Sequence, residues 1–323
     1  MFRTLVRQTA VVACVALASG AIASAQGGGG GRGGGGGAQG GGRWVRLAPI
    51  PEPNEERQSV VANGKLYLFG GNPVEVGGKP GAPPGTVWEY DPAGDKWTKK
   101  KPMALASHHH AVAESGGKIY LFGGAVQRQA GGGNYIPVNN TWEYDPIADS
   151  WKALAAMPTK RLAASAVAVN GKVYVMGGAT NYPRNEDQSL NGNAPHRILD
   201  TNEVYDIATN SWATKQTTPT PRNHIFAAAV NGKIYVIGGR LGSMAIGSGS
   251  PTDIVEEYDP ATDKWGWLKA RMPTPRDSGV AAVYGGKIYV VGGQQITAIN
   301  NSVSRAVEAY DPAANEWTVL SNM

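Results

Sequence analysis

Hydrophobic positions along this chain fall in short blocks, with no helical stripe beyond the first 25 residues, so an all-β fold is expected. One unit recurs five times: a run of small apolar residues, a two-residue turn, then a continuous apolar run ending in Gly-Gly. The clearest copy runs Ala227 to Val230, Asn231-Gly232, Lys233 to Ile237 and Gly238-Gly239. The other diglycines are Gly70-Gly71, Gly123-Gly124, Gly177-Gly178 and Gly292-Gly293, at intervals of 53 to 61 residues, a solenoid or propeller period. A variable loop follows each, then a tyrosine (Tyr90, Tyr144, Tyr205, Tyr258, Tyr310) and, seven positions on, a tryptophan (Trp97, Trp151, Trp212, Trp265, Trp317).

Each block reads as a strand with a place in a sheet. The first runs (Val60 to Ala62, Ala111 to Ala113, Ala166 to Val169, Ala227 to Val230, Val280 to Val283) have the small residues that a crowded axis requires. Asn63-Gly64, Gly116-Gly117, Asn170-Gly171, Asn231-Gly232 and Gly285-Gly286 follow at once and favour the type I′ hairpin turn. The second strand is apolar throughout, as expected for a strand covered on both faces. The third carries the tyrosine and turns through Asp-Pro or Asp-Ile, and the fourth starts at the tryptophan. A four-stranded sheet closes no core alone, and radial stacking buries both its faces, so a β-propeller is expected with Tyr and Trp between blades. This grammar resembles the kelch repeat. The fold class is therefore an all-β, kelch-type propeller with five complete four-stranded blades.

Trp44 to Leu47 resembles the outermost strand of a further blade whose first three strands are absent upstream. Met323 falls in register with Met157, just ahead of the Pro158 that opens the next blade. Kelch rings close by pairing an N-terminal fourth strand with C-terminal strands one to three. The resemblance thus implies a six-bladed ring, truncated at its C-terminus.

Composition sets the compartment. Residues 1–25 carry Arg3 and Arg7, an apolar run from Ala10 to Ala23 and the small-x-small tripeptide Ala23-Ser24-Ala25, the layout of a secretory signal peptide. Export to the periplasm or medium is expected. The sole cysteine, Cys14, lies in this leader, so cleavage after Ala25 leaves a thiol-free mature chain; the alternative is a lipoprotein, Val11 to Cys14 being a loose lipobox with Arg7 only three uncharged residues ahead of it. Residues 26–43 are almost pure glycine and read as a flexible linker, leaving 44–323 as the propeller. Arg3, Arg7, Arg32 and Arg43 all precede the propeller, which leaves it 26 basic against 25 acidic residues and no general attraction to nucleic acid. The mature chain should have no transmembrane segment and act as a monomer.

Candidate chemistry lies where the chain passes between blades. Kelch domains commonly turn two such positions toward a central pocket, which here implies Arg161, Arg222, Arg276, His109, His224 and Glu56 as ligand-binding residues. Three guanidiniums would suit a carboxylate or another anion. For His108-His109-His110, strand alternation puts only His108 and His110 on one face, and a third metal ligand would have to come from another blade, so no metal is expected there. No cofactor is expected either. Two function classes follow. One is a non-catalytic binding module for a glycan, a small anionic sugar or a protein ligand, held by the unlike loops. The other resembles the periplasmic kelch mutarotases of sialic acid, with acid and base among Glu56, His109 and His224. Copper radical oxidases of the galactose oxidase type need a thioether-forming cysteine, which a chain cleaved after Ala25 lacks.

Overall fold

The structure, a computed structural model, describes residues 44–52, 54–73, 85–127, 135–182, 196–242, 250–296 and 301–323. The leader at 1–25, the glycine tract at 26–43 and the middle of each post-diglycine loop lie outside the described residues. Among the described residues there are five four-stranded antiparallel sheets, each in chain order from axis to rim. Blade one is Gln58–Ala62, Lys65–Phe69, Val87–Asp91 and Lys96–Lys100. Blade two is Ala111–Ser115, Lys118–Phe122, Thr141–Asp145 and Ser150–Leu154. Blade three is Ser165–Val169, Lys172–Met176, Asn202–Asp206 and Ser211–Thr214. Blade four is Phe226–Val230, Lys233–Ile237, Val255–Asp259 and the short Lys264–Trp265; blade five is Val280–Tyr284, Lys287–Val291, Val307–Asp311 and Glu316–Val319.

The inner hairpins turn as their sequences require. Asn63 and Gly64 sit at φ 50° and 74°, Asn231 and Gly232 at 51° and 75°, the two positive values that define type I′. The diglycines are needed for close approach: a Cβ on Gly71 would lie 2.0 Å from Asn54 Oδ1, and one on Gly293 would lie 2.4 Å from the Asp277 carbonyl oxygen.

Hydrophobic burial occurs between the sheets. Tyr67 and Phe69 of blade one pack with Ile119, Leu121 and Tyr144 of blade two, and Tyr120 and Phe122 with Val173, Val175 and Tyr205 of blade three. The pattern continues with Tyr174 and Met176 against Ile234, Val236 and Tyr258, then Tyr235 and Ile237 against Ile288, Val290 and Tyr310. All five repeat tyrosines are buried, and each leans on its own tryptophan with ring centroids 4.7–5.2 Å apart.

A polar clasp fixes the angle between neighbours. In blade three, Trp212 Nε1 donates to the Ala155 carbonyl (2.8 Å) while the Ala155 amide donates to Asn210 Oδ1 (2.9 Å). The Tyr205 hydroxyl donates to that same oxygen at 2.7 Å. Asn210 has φ 50°, the left-handed conformation that Asn and Asp tolerate best among residues with a side chain. Equivalent clasps bind Trp97 to Ala48, Trp151 to Lys101, Trp265 to Gln216 and Trp317 to Ala270. The acceptors of the tyrosine hydroxyls there are Asp95, Asp149, Asp263 and Asn315, all at positive φ.

Trp44 to Leu47 carries no β-ladder, because no third strand lies beside it among the described residues. Yet Ala48, four residues on, receives the Trp97 clasp, and Trp44 Nε1 points to the Ser321 carbonyl at 3.4 Å. Among the described residues there are thus five complete clasps and five full sheets, with the single Trp44–Ser321 bond at the remaining junction. A cavity of about 360 Å³ runs from the axis, where Ala163 and His224 line it, into a gap between Ser59 and Leu68 of blade one and Ala281 and Val291 of blade five, with Met323 at its side. Val283 and Tyr284 on the innermost strand of blade five are accordingly exposed, whereas Val169 and Val230 are buried.

Trp212→Ala removes a donor and two ring contacts from a half-buried site, so it should cost about 2–3 kcal/mol, below the range for a fully buried Trp. Tyr205→Phe should cost about 1 kcal/mol. Trp267→Ala, at a ring 92% exposed, should stay within about 0.5 kcal/mol. Urea unfolding of the three variants checks the order.

Candidate functional site

The segments that lead into each innermost strand are held on the loop-bearing face. Each pairs with the residues just past its own blade's diglycine: Glu55 with Asn72, His108 with Ala125, Leu162 with Ala179, Asn223 with Arg240, Asp277 with Gln294. The next residue in every blade turns left-handed: Glu56, His109, Ala163, His224 and Ser278 have φ between 52° and 56°. A left-handed residue with a side chain costs roughly 1–3 kcal/mol, and recurrence at one position in five blades marks a built feature. Amide-to-carbonyl bonds link the turns around the axis, Ala163 to His109 (2.8 Å), His224 to Ala163 (2.9 Å) and Ser278 to His224 (3.2 Å).

All five line the cavity. Three of them converge: Glu56, His109 and His224 each offer a donor atom within 4.8 Å of the others. His109 Nε2 lies 3.3 Å from Glu56 Oε2, and the His109 and His224 rings meet edge-on with centroids 5.3 Å apart. His224 Nδ1 lies 2.5 Å from Asn223 Oδ1, so that nitrogen carries the hydrogen. His109 Nδ1 abuts His108 Nδ1. Burial, reinforced by the Arg240 charge, drops His109 to about 3 and takes His224 well below its ordinary value, so both imidazoles are neutral at pH 7. Burial raises Glu56, against the opposing pull of Arg240. Arg240 itself is buried, with its Nε 2.8 Å from Asp277 Oδ1 and Nη2 3.3 Å from Ser278 Oγ.

The histidine triplet differs from its strand-based reading. His109 at φ 55° breaks the extension and the strand begins only at Ala111, so His109 is the member that reaches the axial group. His108 packs instead on Tyr135, with centroids 4.4 Å apart, and His110 on Phe69.

The three arginines do not join this group, and the expectation that they line a ligand pocket is corrected. Arg161, Arg222 and Arg276 are at most 1% exposed. Arg222 donates to the carbonyls of Gly238 (2.9 Å) and Ile254 (3.0 Å) and to Glu256 Oε2 (2.5 Å). Arg161 does the same with Gly177, Thr201 and Glu203; Arg276 with Gly292, Val290 and Glu308. Each guanidinium therefore closes its own blade, binding the carbonyls left open where the second strand ends. Their own carbonyls accept from the second glycine of the preceding blade, as Gly239 does to Arg276 at 3.0 Å. Burial lowers Arg161 to about 10, with Glu203 opposing the shift. A signal for this was present in the chain: blades with this arginine have glutamate two residues before the tyrosine (Glu203, Glu256, Glu308), and the two blades without it have Trp88 and Trp142.

Comparison with known families agrees with these observations. The profile of the KLHDC2/KLHL20/DRC7 Kelch-repeats domain matches residues 109–323, and the Kelch motif matches 58–104. The chain belongs to the kelch-repeat family. Its similar proteins include Kelch-like protein 23 of Homo sapiens, 27% identical over 284 residues that cover 87% of this chain and 44% of that protein. Kelch-like protein terF of Aspergillus terreus is 26% identical over 87% of this chain and 60% of its own length. The chain thus spans 44% to 60% of the length of these curated kelch relatives. A solved structure, "Structure of YjhT", superposes with a TM-score of 0.67 at 18% identity, covering 86% of this chain and 88% of that one, which shows the shared propeller fold.

Arg222→Met alone leaves the Glu256 carboxylate buried without its partner and should cost about 3–5 kcal/mol. Combining it with Glu256→Leu removes both charges and should recover a large part of that loss in equilibrium urea unfolding.

Proposed function

We propose that this kelch propeller is an exported, non-catalytic recognition module that binds an extended protein segment on its loop-bearing face. The observation that carries the reading is the anchoring of unlike loops: β-pairing at the base of each fixes its position on a rigid ring around the axial cavity. Tyr182 and Leu241, just beyond those anchors, and Val303, on the strand that pairs with Gln294, expose large apolar side chains that suit contact with a partner. Kelch-family membership supports protein interaction in general. Export rests on the leader at 1–25.

The mutarotase alternative retains an acid–base pair in Glu56 and His109, 3.3 Å apart. It loses the fork for a sugar carboxylate, since Arg161, Arg222 and Arg276 are spent inside the blades. Recognition is accordingly the better-supported function.

A phage-displayed peptide library panned on the propeller tests this. Enriched peptides should bind Tyr182→Ser/Leu241→Ser at least tenfold more weakly, while Ile147→Ser on the opposite face leaves affinity unchanged. Loss confined to Ile147→Ser would overturn the assignment of the face. For export, intact mass of the secreted product should correspond to a chain beginning at Gln26.

A further inference from the structure

We propose that Glu56, His109 and His224 form a divalent-metal site at the propeller axis, three-coordinate from the protein and open toward the cavity. The inference does not depend on the recognition function. It begins from spacing. Two ligands on a tetrahedral ion with bonds of about 2.0–2.1 Å stand roughly 3.3–3.5 Å apart. The Glu56–His109 edge, at 3.3 Å, already has that length, and the third donor lies within 4.8 Å of both. Closing the triangle asks the third donor to approach by roughly 1.5 Å at most.

The imidazoles are also oriented as ligands are. A metal-binding histidine normally gives its second ring nitrogen to a fixed acceptor, which sets the tautomer and aims the lone pair. Asn223 Oδ1 does this for His224, leaving Nε2 as the lone-pair nitrogen. For His109, the Nδ1 side is occupied by His108, and Nε2 faces Glu56. The backbone bonds that chain His109, Ala163, His224 and Ser278 together hold the Cα positions, so an ion would meet a preformed arrangement. The nearby Arg240 cation is offset by Asp277 at 2.8 Å.

Two imidazoles and a carboxylate suit zinc, cobalt or a similar borderline ion better than calcium or magnesium. Ala163 places only a methyl group at the ring position between His109 and His224. The coordination sphere is thereby left with room for water or a donor atom of a bound ligand, an open site as distinct from a closed four-ligand structural one. None of these ligands is a thiolate, so the site is independent of Cys14.

Tag-free protein, dialysed against chelator, should be titrated with cobalt(II) while its visible ligand-field bands are followed, and with zinc by calorimetry. The expected result is one saturable equivalent, with zinc displacing cobalt. Glu56→Gln, nearly isosteric, and His224→Ala should each weaken binding at least tenfold with unchanged far-UV circular dichroism. Ala163→His, which puts a third imidazole at an equivalent left-handed position, should tighten binding and shift the cobalt bands. Absence of saturable binding by the wild-type chain would overturn the proposal, as would binding that Glu56→Gln and His224→Ala leave unaltered.

Discussion

The clasp between neighbouring blades is the constraint from which the rest of the structure follows. One residue of the preceding blade gives its carbonyl to a tryptophan and its amide to an Asp or Asn that also receives a tyrosine hydroxyl. The apolar faces supply most of the favourable free energy, but apolar contact is non-directional and would tolerate sliding between sheets. Two hydrogen bonds on one residue, through the amide and the carbonyl that flank its Cα, remove that freedom, since an off-register pairing would leave buried tyrosine hydroxyls without partners. The junction angle repeats because the clasp repeats, five times in full, the first of them between Trp97 and the lead-in segment at Ala48.

With the angle fixed, each blade has to finish its own polar chemistry near the axis. The second strand ends at a diglycine whose close approach to the lead-in segment leaves no room for a Cβ. A buried arginine binds the carbonyls released there, and a glutamate on the third strand balances its charge. Blades one and two reach the same geometry without the ion pair, having Asn54 and Ser107 in place of arginine and Trp88 and Trp142 in place of glutamate. Charge was therefore placed in the blade interior, and the axial surface was left to the residue two positions on. That residue is the one the left-handed turn directs to the cavity, and its identity differs from blade to blade.

Much of this was legible from the chain. Strand order, the type I′ turns, the tyrosine–tryptophan contact and the register of Met323 with Met157 all follow from local pattern. In the structure Met157 and Met323 donate their amides to equivalent carbonyls, those of Asn139 and Arg305. The site was legible only by position. Glu56, His109 and His224 could be placed near the axis by counting, but the same counting placed the arginines there, because it gives a distance along the strand and no side-chain direction. The triplet at 108–110 was misaligned for a related reason: strand alternation assumes extended backbone, and His109 is not extended.

What the sequence determined by itself is everything set by short-range rules: turn types, strand periodicity, and a repeat too small to bury its own faces. What only the tertiary structure decided is which polar groups are used internally and which remain free. The arginine competes for two partners, solvent in the channel or a carboxylate on its own third strand, and the outcome depends on atoms some 32 to 42 residues away. Likewise Glu56 and His224, 168 residues apart in the chain, become neighbours only because the blades between them turn through fixed angles about a common axis.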